Sequence, residues 1–186
     1  ETGSRKDDHI RITLEEDVTF ADTTNGLEDY RFVHCALPEI DLDAVRPDTE
    51  FLGHHLSYPL LISSMTGGTA QSGAFNRVLA EAAAEAGIAM GLGSTRVLLE
   101  DPEVANTFQV REHAPGLFLL ANLGAVQLTH GYGVDACRHL IDLTEADALY
   151  LHLNPLQEAL QPEGDTQFSG LLTRIEAICT ELPVPV

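Results

Sequence analysis

Four short apolar runs recur along the chain, and they predict the strands of one repeating unit. They lie at residues 59–65, 88–94, 117–123 and 148–154. Their starts are roughly 30 residues apart, the length of a strand–helix–strand unit. Each run is almost continuously apolar, as expected for parallel strands that are buried on both faces. A further run begins at residue 183 and predicts the start of a fifth strand.

The segments between these runs have helical character. Helices are predicted over residues 74–86, 133–145 and 166–182, with a weaker one over residues 101–110. Gly87 follows the first helix and suits the left-handed cap that ends many helices. Asp165 precedes the last and is predicted to cap it or to lie on the surface, as is Asp147. The alternation of strands and helices predicts an α/β fold.

Two α/β architectures fit this repeat, a doubly wound open sheet and a (β/α)8 TIM barrel. A dinucleotide-binding sheet should carry a glycine fingerprint after a strand, but the Gly91-Leu92-Gly93 stretch lacks the third glycine. A barrel normally needs about 250 residues. Residues 59–186 are therefore expected to be either a four-stranded domain or the first half of a barrel, with about four βα units, that cannot close alone.

Residues 1–58 lack the repeat and are predicted to form an N-terminal leader. A short helix is expected at residues 11–16, and strands at residues 32–37 and 51–56. In a barrel, such a leader can close the bottom or fold over the top.

The chain is strongly acidic, with 10 Lys and Arg against 29 Asp and Glu and a formal net charge of -19. This charge disfavours binding to nucleic acid and to anionic membranes. No apolar stretch approaches the roughly 20 residues of a membrane span. The cysteines, Cys35, Cys137 and Cys179, form no CxxC pair, so a reducing cytoplasm is expected. An anionic substrate would need a local cluster of cations.

Such a cluster occurs at residues 5–11, where the sequence reads RKDDHIR. One interpretation is a diphosphate clamp that carries the chain's one lysine, Lys6. The alternative is a disordered charged terminus, which is commoner for segments of this kind.

The apolar runs end in polar or glycine-rich residues, at the strand ends where α/β folds bind ligands. Gly67-Gly68 either brings the backbone close to a ligand or makes a tight turn. Arg96 suits phosphate, or a surface ion pair. Asn122 needs hydrogen-bond partners if it is buried. Glu158 can ligate Mg²⁺ through oxygen, whereas His152 taken alone is more often a core histidine.

Together these stretches resemble the type 2 isopentenyl-diphosphate isomerase family. The matching segments are RKDDHIR (5–11), TTNGLEDYRF (23–32), SMTGGT (64–69), LGSTR (92–96), ANLGAVQL (121–128) and HLNPLQEALQPEGDTQF (152–168). The resemblance implies a (β/α)8 barrel that converts isopentenyl diphosphate to dimethylallyl diphosphate. It also implies reduced FMN, Mg²⁺, NADPH as reductant, and a cytoplasmic homo-oligomer, a tetramer or octamer.

The resemblance also implies a set of site residues. The flavin would be bound by Ser64, Met65, Thr66, Ser94 and Asn122. The substrate would be bound by Arg5, Lys6, His9, Ser94, Thr95, Arg96 and Gln157. His152, Asn154 and Gln157 would be catalytic, and Glu158 would bind Mg²⁺. No side chain is an obvious acid or base for carbon, which agrees with the family proposal that the cofactor moves the proton.

Two other functions fit the sequence. One is another FMN-dependent TIM-barrel oxidoreductase of the 2-hydroxy-acid oxidase type, whose His and Arg would lie on later strands. The other is a catalytically incomplete fragment that self-associates through an open sheet edge. The basic leader and Glu158 favour the isomerase.

Overall fold

A four-stranded parallel sheet forms the centre of the structure. The computed structural model describes residues 2–65, 67–162 and 164–186, without the side chains of residues 2–7 and 9. The strands are β3 (Leu61–Ile62), β4 (Ala89–Gly91), β5 (Leu119–Gly124) and β6 (Ala148–His152), after a hairpin of β1 (Thr49–Phe51) and β2 (His54–Leu56). All four sheet strands are parallel, which confirms the α/β class and the first four predicted strands.

The order of the described strands can be compared with the two predicted architectures. The sheet runs β3-β4-β5-β6, in the order of the chain. A doubly wound sheet reverses its strand order at the point where the ligand binds. This order has no reversal and is that of a singly wound sheet, the winding found in (β/α)8 barrels.

Helices precede, connect and follow the strands. They are α1 (Thr2–Glu15), α2 (Ala70–Ala86), α3 (Val97–Glu100), α4 (Val134–Thr144), α5 (Pro155–Leu160) and α6 (Leu171–Glu181). Helix α2 begins at a capping box made by Thr69 and Ser72, and it ends at Gly87 with φ 65°, as predicted. Shorter 3-10 helices span Leu27–Asp29, Leu42–Ala44, Pro102–Thr107 and Ala125–His130, so the weak helix expected over residues 101–110 is mainly 3-10.

The two faces of the sheet differ in what covers them. Leu119, Ala121 and Leu123 alternate along β5 and belong to the main core, which includes buried residues of α2, α4 and α6. Leu120 belongs to a separate small cluster on the opposite face. Leu61 and Tyr150 are about half exposed, so the predicted burial of every strand on both faces is wrong. We call the side that carries Leu120 the inner face.

The β1–β2 hairpin packs at the N-terminal end of β5. The rings of His54 and Phe118 stack with centroids 4.1 Å apart, and Phe51 meets Phe118 edge-on at 5.9 Å. Leu56 is buried in the inner-face cluster with Ala89, Phe118, Leu120 and Ala148. The hairpin therefore closes the end of the inner face that lies opposite the strand tips.

Several predictions for the ends of the chain are wrong in detail. Residues 32–37 form no strand and are exposed, and Phe32 is 104% exposed. Helix α1 is longer than the short helix expected at residues 11–16. Residues 183–186 form no strand either, although the N–H of Leu149 donates to the carbonyl of Pro185 at 2.9 Å, beside β6.

Arg111 and Asp147 tie together the N-terminal ends of β5 and β6. The guanidinium donates to the carbonyl of Leu117 at 2.7 Å and to the carboxylate of Asp147 at 3.0 Å. It also donates to the carbonyls of Pro115 and Glu145. The same carboxylate accepts from the N–H of Leu119 at 2.9 Å, so Asp147 is not merely a surface residue.

Among the described residues, no helix is both long and apolar enough to cross a membrane.

Candidate functional site

The ends of β3 and β4 lie in close contact. A Cβ atom added at Gly91 would lie 2.7 Å from Oγ of Ser64, so the missing side chain lets Ser64 approach the strand. Ser64 is half-buried, whereas Met65 is 70% exposed. Thr66 lies outside the described residues, so its predicted contact with flavin stays a prediction.

The glycine pair after β3 has a structural role in this fold. A Cβ atom at Gly67 would overlap the ring of Phe108, which is fully buried. Gly68 has φ 90°, and its N–H donates to Oγ1 of Thr107 at 2.9 Å. These contacts support the turn interpretation of the pair, since they bring the turn against the core.

Thr95 links the end of β4 to the end of β5. Its N–H and its Oγ1 both donate to the carbonyl of Asn122 at 2.8 Å, and the residue is fully buried. The neighbouring Ser94 is exposed. Both residues were predicted to bind substrate. Ser94 is accessible for this role, whereas the hydroxyl of Thr95 is buried and already donates its hydrogen bond to Asn122.

The side chain of Asn122 is the least satisfied polar group of these strand ends. It is 6% exposed, and its Oδ1 is buried with no hydrogen-bond partner in the described part of the chain. By alternation it shares the inner face with Leu120. A buried acceptor without a partner costs about 1–3 kcal/mol. A ligand N–H placed against Oδ1 would remove that cost, and an isoalloxazine ring offers such a donor.

A cavity of about 300 Å³ opens at the end of β6. Its lining includes Val126, His152, Asn154, Glu158 and Phe168. Two residues predicted to be catalytic and the predicted metal ligand therefore meet at one cavity with apolar walls. The ring of His152 lies 6.2 Å from that of Tyr150.

Asn154 and Gln157 are bound to each other. Asn154 is the N-cap of α5, and its Oδ1 accepts from the N–H of Gln157 at 3.1 Å. Its Nδ2 donates to Oε1 of Gln157 at 2.8 Å. This amide pair begins α5 and thereby fixes where Glu158 leaves the first helical turn.

Arg96 lies between two carboxylates. Its Nε is 3.2 Å from Oε1 of Glu100, and its Nη1 is 4.0 Å from Oδ2 of Asp165. Tyr132 donates to the same Oε1 of Glu100 at 3.1 Å. Burial raises the pKa of Tyr132, and this hydrogen bond raises it further, so the phenol stays a donor. The ion-pair alternative for Arg96 is present in the structure.

Asp165 contacts helix α5 and the 3-10 helix Ala125–His130, in addition to Arg96. Its N–H donates to Oε2 of Glu158 at 2.8 Å. Its carboxylate accepts from Nε2 of Gln127 at 2.6 Å and lies 3.3 Å from Nε2 of His130. The prediction that Asp165 caps the last helix is wrong, because α6 begins at Leu171 and Gly170 is its cap. In the sequence, Asp165 belongs to the matching segment 152–168, where residues 164–166 read GDT. That motif marks the residue but does not reveal its partners.

The basic leader cannot be placed against these groups. The side chains of Arg5, Lys6 and His9 lie outside the described part of the chain, so their roles stay predictions. Arg11 pairs within its own helix and just beyond it, with Asp8, Glu15 and Glu16 at 3.4–3.6 Å.

The described residues contain no group of three or more His, Cys, Asp and Glu placed to hold a metal ion. A site that relies on substrate phosphates for the remaining ligands needs only one or two carboxylates.

Comparison with known proteins places these residues in a family. Residues 4–116 match a family described as FMN-dependent dehydrogenase. A protein of Nostoc sp. named isopentenyl-diphosphate delta-isomerase is 58% identical over 185 residues, which cover 100% of this chain and 53% of the relative. Proteins with the same name from Synechocystis sp. and Stutzerimonas stutzeri are 54% and 52% identical, over 100% and 98% of this chain and 53% of each relative. The chain spans about half the length of these curated relatives, and the resemblance stated from the motifs is confirmed.

Proposed function

The chain belongs to the FMN-dependent dehydrogenase family, and on that premise we propose that it supplies four βα units of a (β/α)8 barrel that converts isopentenyl diphosphate to dimethylallyl diphosphate. The names of its relatives support this reaction. The sequential strand order supports the barrel, as does the inner-face cluster, whose buried members in the described part of the chain all lie outside helices. Residues 59–186 would be the barrel portion and residues 1–58 the leader.

The observation that carries the proposal is the buried Oδ1 of Asn122, in the C-terminal half of β5, which has no hydrogen-bond partner among the described residues. FMN would be held there by Asn122 together with Ser64, Met65, Thr66 and Ser94. The close approach of Ser64 to Gly91 supports this set, because it brings the two strand tips together below the ligand. FMN bound there and reduced by NADPH would supply the proton-transfer chemistry, for which the sequence offers no obvious side-chain acid or base.

Glu158 is the proposed Mg²⁺ ligand. One of its oxygens accepts the N–H of Asp165, and within the described part of the chain the other accepts no hydrogen bond. A hard cation takes carboxylate and phosphate oxygens, so Glu158 and the diphosphate can share one Mg²⁺. The ion would offset the repulsion that a chain with a net charge of -19 exerts on an anionic substrate.

The remaining groups would position the substrate. Arg96 would bind the diphosphate with Ser94 and Gln157, and the leader residues Arg5, Lys6 and His9 would close over it. His152 and the amide pair of Asn154 and Gln157 would orient the hydrocarbon end beside the apolar cavity walls. Because the cavity walls are largely apolar, they would exclude water from the carbon atoms that lose and gain the proton.

We also propose a cytoplasmic homo-oligomer of the size that the family suggests, a tetramer or an octamer. The leader supports this assembly. Its apolar side chains include Phe20, Tyr30, Phe32 and Leu37, all of which are largely exposed. An exposed apolar series of this extent is typical of a surface that is covered by another part of an assembly.

The test uses the full-length protein with FMN, NADPH and Mg²⁺ under anaerobic conditions, and mass spectrometry detects dimethylallyl diphosphate. The expected result is conversion by the wild type and a lower content of bound FMN in the Asn122→Ala variant. Asn106→Ala is the matched control, because Asn106 is exposed in the 3-10 helix Pro102–Thr107. Oxidation of a 2-hydroxy acid without any isomerisation would refute the proposal in favour of the oxidoreductase alternative.

A further inference from the structure

One residue connects the proposed metal ligand to the proposed diphosphate-binding arginine. Asp165 donates its N–H to Oε2 of Glu158 at 2.8 Å, and its Oδ2 lies 4.0 Å from Nη1 of Arg96. Glu158 and Arg96 follow different strands, β6 and β4. Asp165 therefore contacts both the carboxylate and the guanidinium.

Asp165 is itself held firmly from the side of β5. Gln127, which is 7% exposed, donates to its Oδ2 at 2.6 Å, and Nε2 of His130 lies 3.3 Å from Oδ1. Both partners belong to the 3-10 helix Ala125–His130, directly after β5. Hydrogen bonds to a charged acceptor are about twice as strong as neutral ones, so this carboxylate anchors its loop to the sheet.

The backbone before Asp165 is fitted closely to α5. A Cβ atom at Gly164 would overlap the carbonyl oxygen of Glu158, and the N–H of Gly164 donates to the carbonyl of Gln161 at 3.1 Å. Glycine at this position lets the following N–H reach the carboxylate of Glu158. The contact depends on the backbone as well as on the side chain of Asp165.

The contact with Arg96 is loose by comparison. At 4.0 Å the two charges attract each other, but the distance is too long for a hydrogen bond. The guanidinium is thus oriented towards Asp165 while its Nη1 donors remain available to a phosphate. By contrast, one oxygen of the Glu158 carboxylate is fixed by the N–H of Asp165 at 2.8 Å, and among the described residues the other oxygen accepts no hydrogen bond.

We propose that Asp165 is a positioning residue that sets the Glu158 carboxylate and the Arg96 guanidinium at the spacing needed to bind one metal–diphosphate unit. This inference rests on the proposed function and extends it to a residue outside the ligand set. Asp165 acts through the two groups that it holds and does not touch the ligand. Partners of this kind around a metal ligand typically change metal affinity about 10- to 100-fold when they are removed.

The experiment measures the Kd of the Mn²⁺–pyrophosphate complex by calorimetry, with the FMN-loaded full-length protein. Asp165→Ala is expected to raise this Kd about 10- to 100-fold. Gly164→Ala should raise it as well, since it displaces the backbone donor and leaves every charge in place. Controls are Asp142→Asn, at an exposed position on α4, and Gly133→Ala, where an added Cβ atom meets nothing within 4 Å.

The outcomes separate this inference from the function on which it rests. If Glu158→Gln raises the Kd but a folded Asp165→Ala variant binds like the wild type, the positioning role is overturned and the metal site stands. If Glu158→Gln has no effect, the proposed metal site itself is refuted. Should Asp165→Ala not fold, Asp165→Asn decides, because it keeps an acceptor for Gln127 and loses the charge. An increase of about fivefold supports the inference, and an unchanged Kd overturns it.

Discussion

Replacement of Arg111 by alanine should destabilise the fold, because Arg111 holds together the N-terminal ends of β5 and β6, which lie opposite the candidate site. The Arg111 side chain is 17% exposed. Its guanidinium donates hydrogen bonds to the carbonyls of Leu117, Pro115 and Glu145, and it pairs with the carboxylate of Asp147. Hydrogen bonds to a charged group contribute about 1.5–3 kcal/mol each when they are well shielded. The side chain of Asp147 is 30% exposed, so we discount the ion pair to about 1 kcal/mol or less.

The bonds to Pro115 and Glu145 are exposed and water can replace them, so only the bond to Leu117 is counted in full. With the ion pair, Arg111→Ala should lower the free energy of unfolding by about 2–4 kcal/mol, most of it from the carbonyl of Leu117 that loses its donor. Urea unfolding of the full-length protein measures the change, followed by far-ultraviolet circular dichroism. Arg174→Ala is the control, because Arg174 is exposed on α6 and its loss should change stability by less than about 0.5 kcal/mol.

A double-mutant cycle separates the ion pair from the carbonyl contacts. If Asp147→Ala is combined with Arg111→Ala, the coupling free energy should be about 0.5–1 kcal/mol, well below the effect of Arg111→Ala alone. An Arg111→Ala variant that unfolds at the same urea concentration as the wild type would contradict the reasoning. It would mean that water replaces the arginine at these carbonyls without cost.

Three further predictions follow from contacts of the described residues. Gly67→Ala should lower the free energy of unfolding by about 1–3 kcal/mol in urea, because the new methyl group overlaps the Phe108 ring; an unchanged midpoint would show that the ring can move. Glu158→Gln should raise the Mg²⁺ concentration needed for half-maximal activity while absorbance shows FMN still bound; the same Mg²⁺ dependence as the wild type would exclude the metal role. Burial raises the pKa of the Cys137 thiol to about 11, so between pH 7 and 9 it should stay protonated and react with a thiol reagent only on unfolding, unlike exposed Cys35; equal rates would contradict the burial.

The sheet and its long helices could be predicted because their signal is local. The run at residues 117–123 is apolar except for Asn122, and β5 occupies most of it. Helix α2 was predicted over residues 74–86 from its alanine-rich sequence and its glycine cap. The predicted strand at residues 32–37 failed for the opposite reason. Aromatic and β-branched residues favour a strand only where a neighbouring strand pairs with them, and the described structure provides none there.

The candidate site was only partly visible in the sequence. Polar residues at strand ends are expected to converge, and His152, Asn154 and Glu158 do line one cavity. The role of Asp165 could not be predicted, because its partner Gln127 is 38 residues away in the chain. A carboxylate before an expected helix resembles a cap whenever its distant partners are unknown. The partners of Asp165 can be identified only once it is known which strands bring its loop next to Gln127.

The aromatic stack between His54 and Phe118 also bears on the route by which a ligand could reach the inner face of the sheet. It closes the N-terminal end of the inner face, so in the proposed barrel a ligand bound beside Asn122 would enter and leave from the side of the strand ends. The product would then have to leave by that side before the next substrate molecule could bind. A bulkier side chain at the rim would slow arrival and departure together, even if it touched none of the reacting atoms.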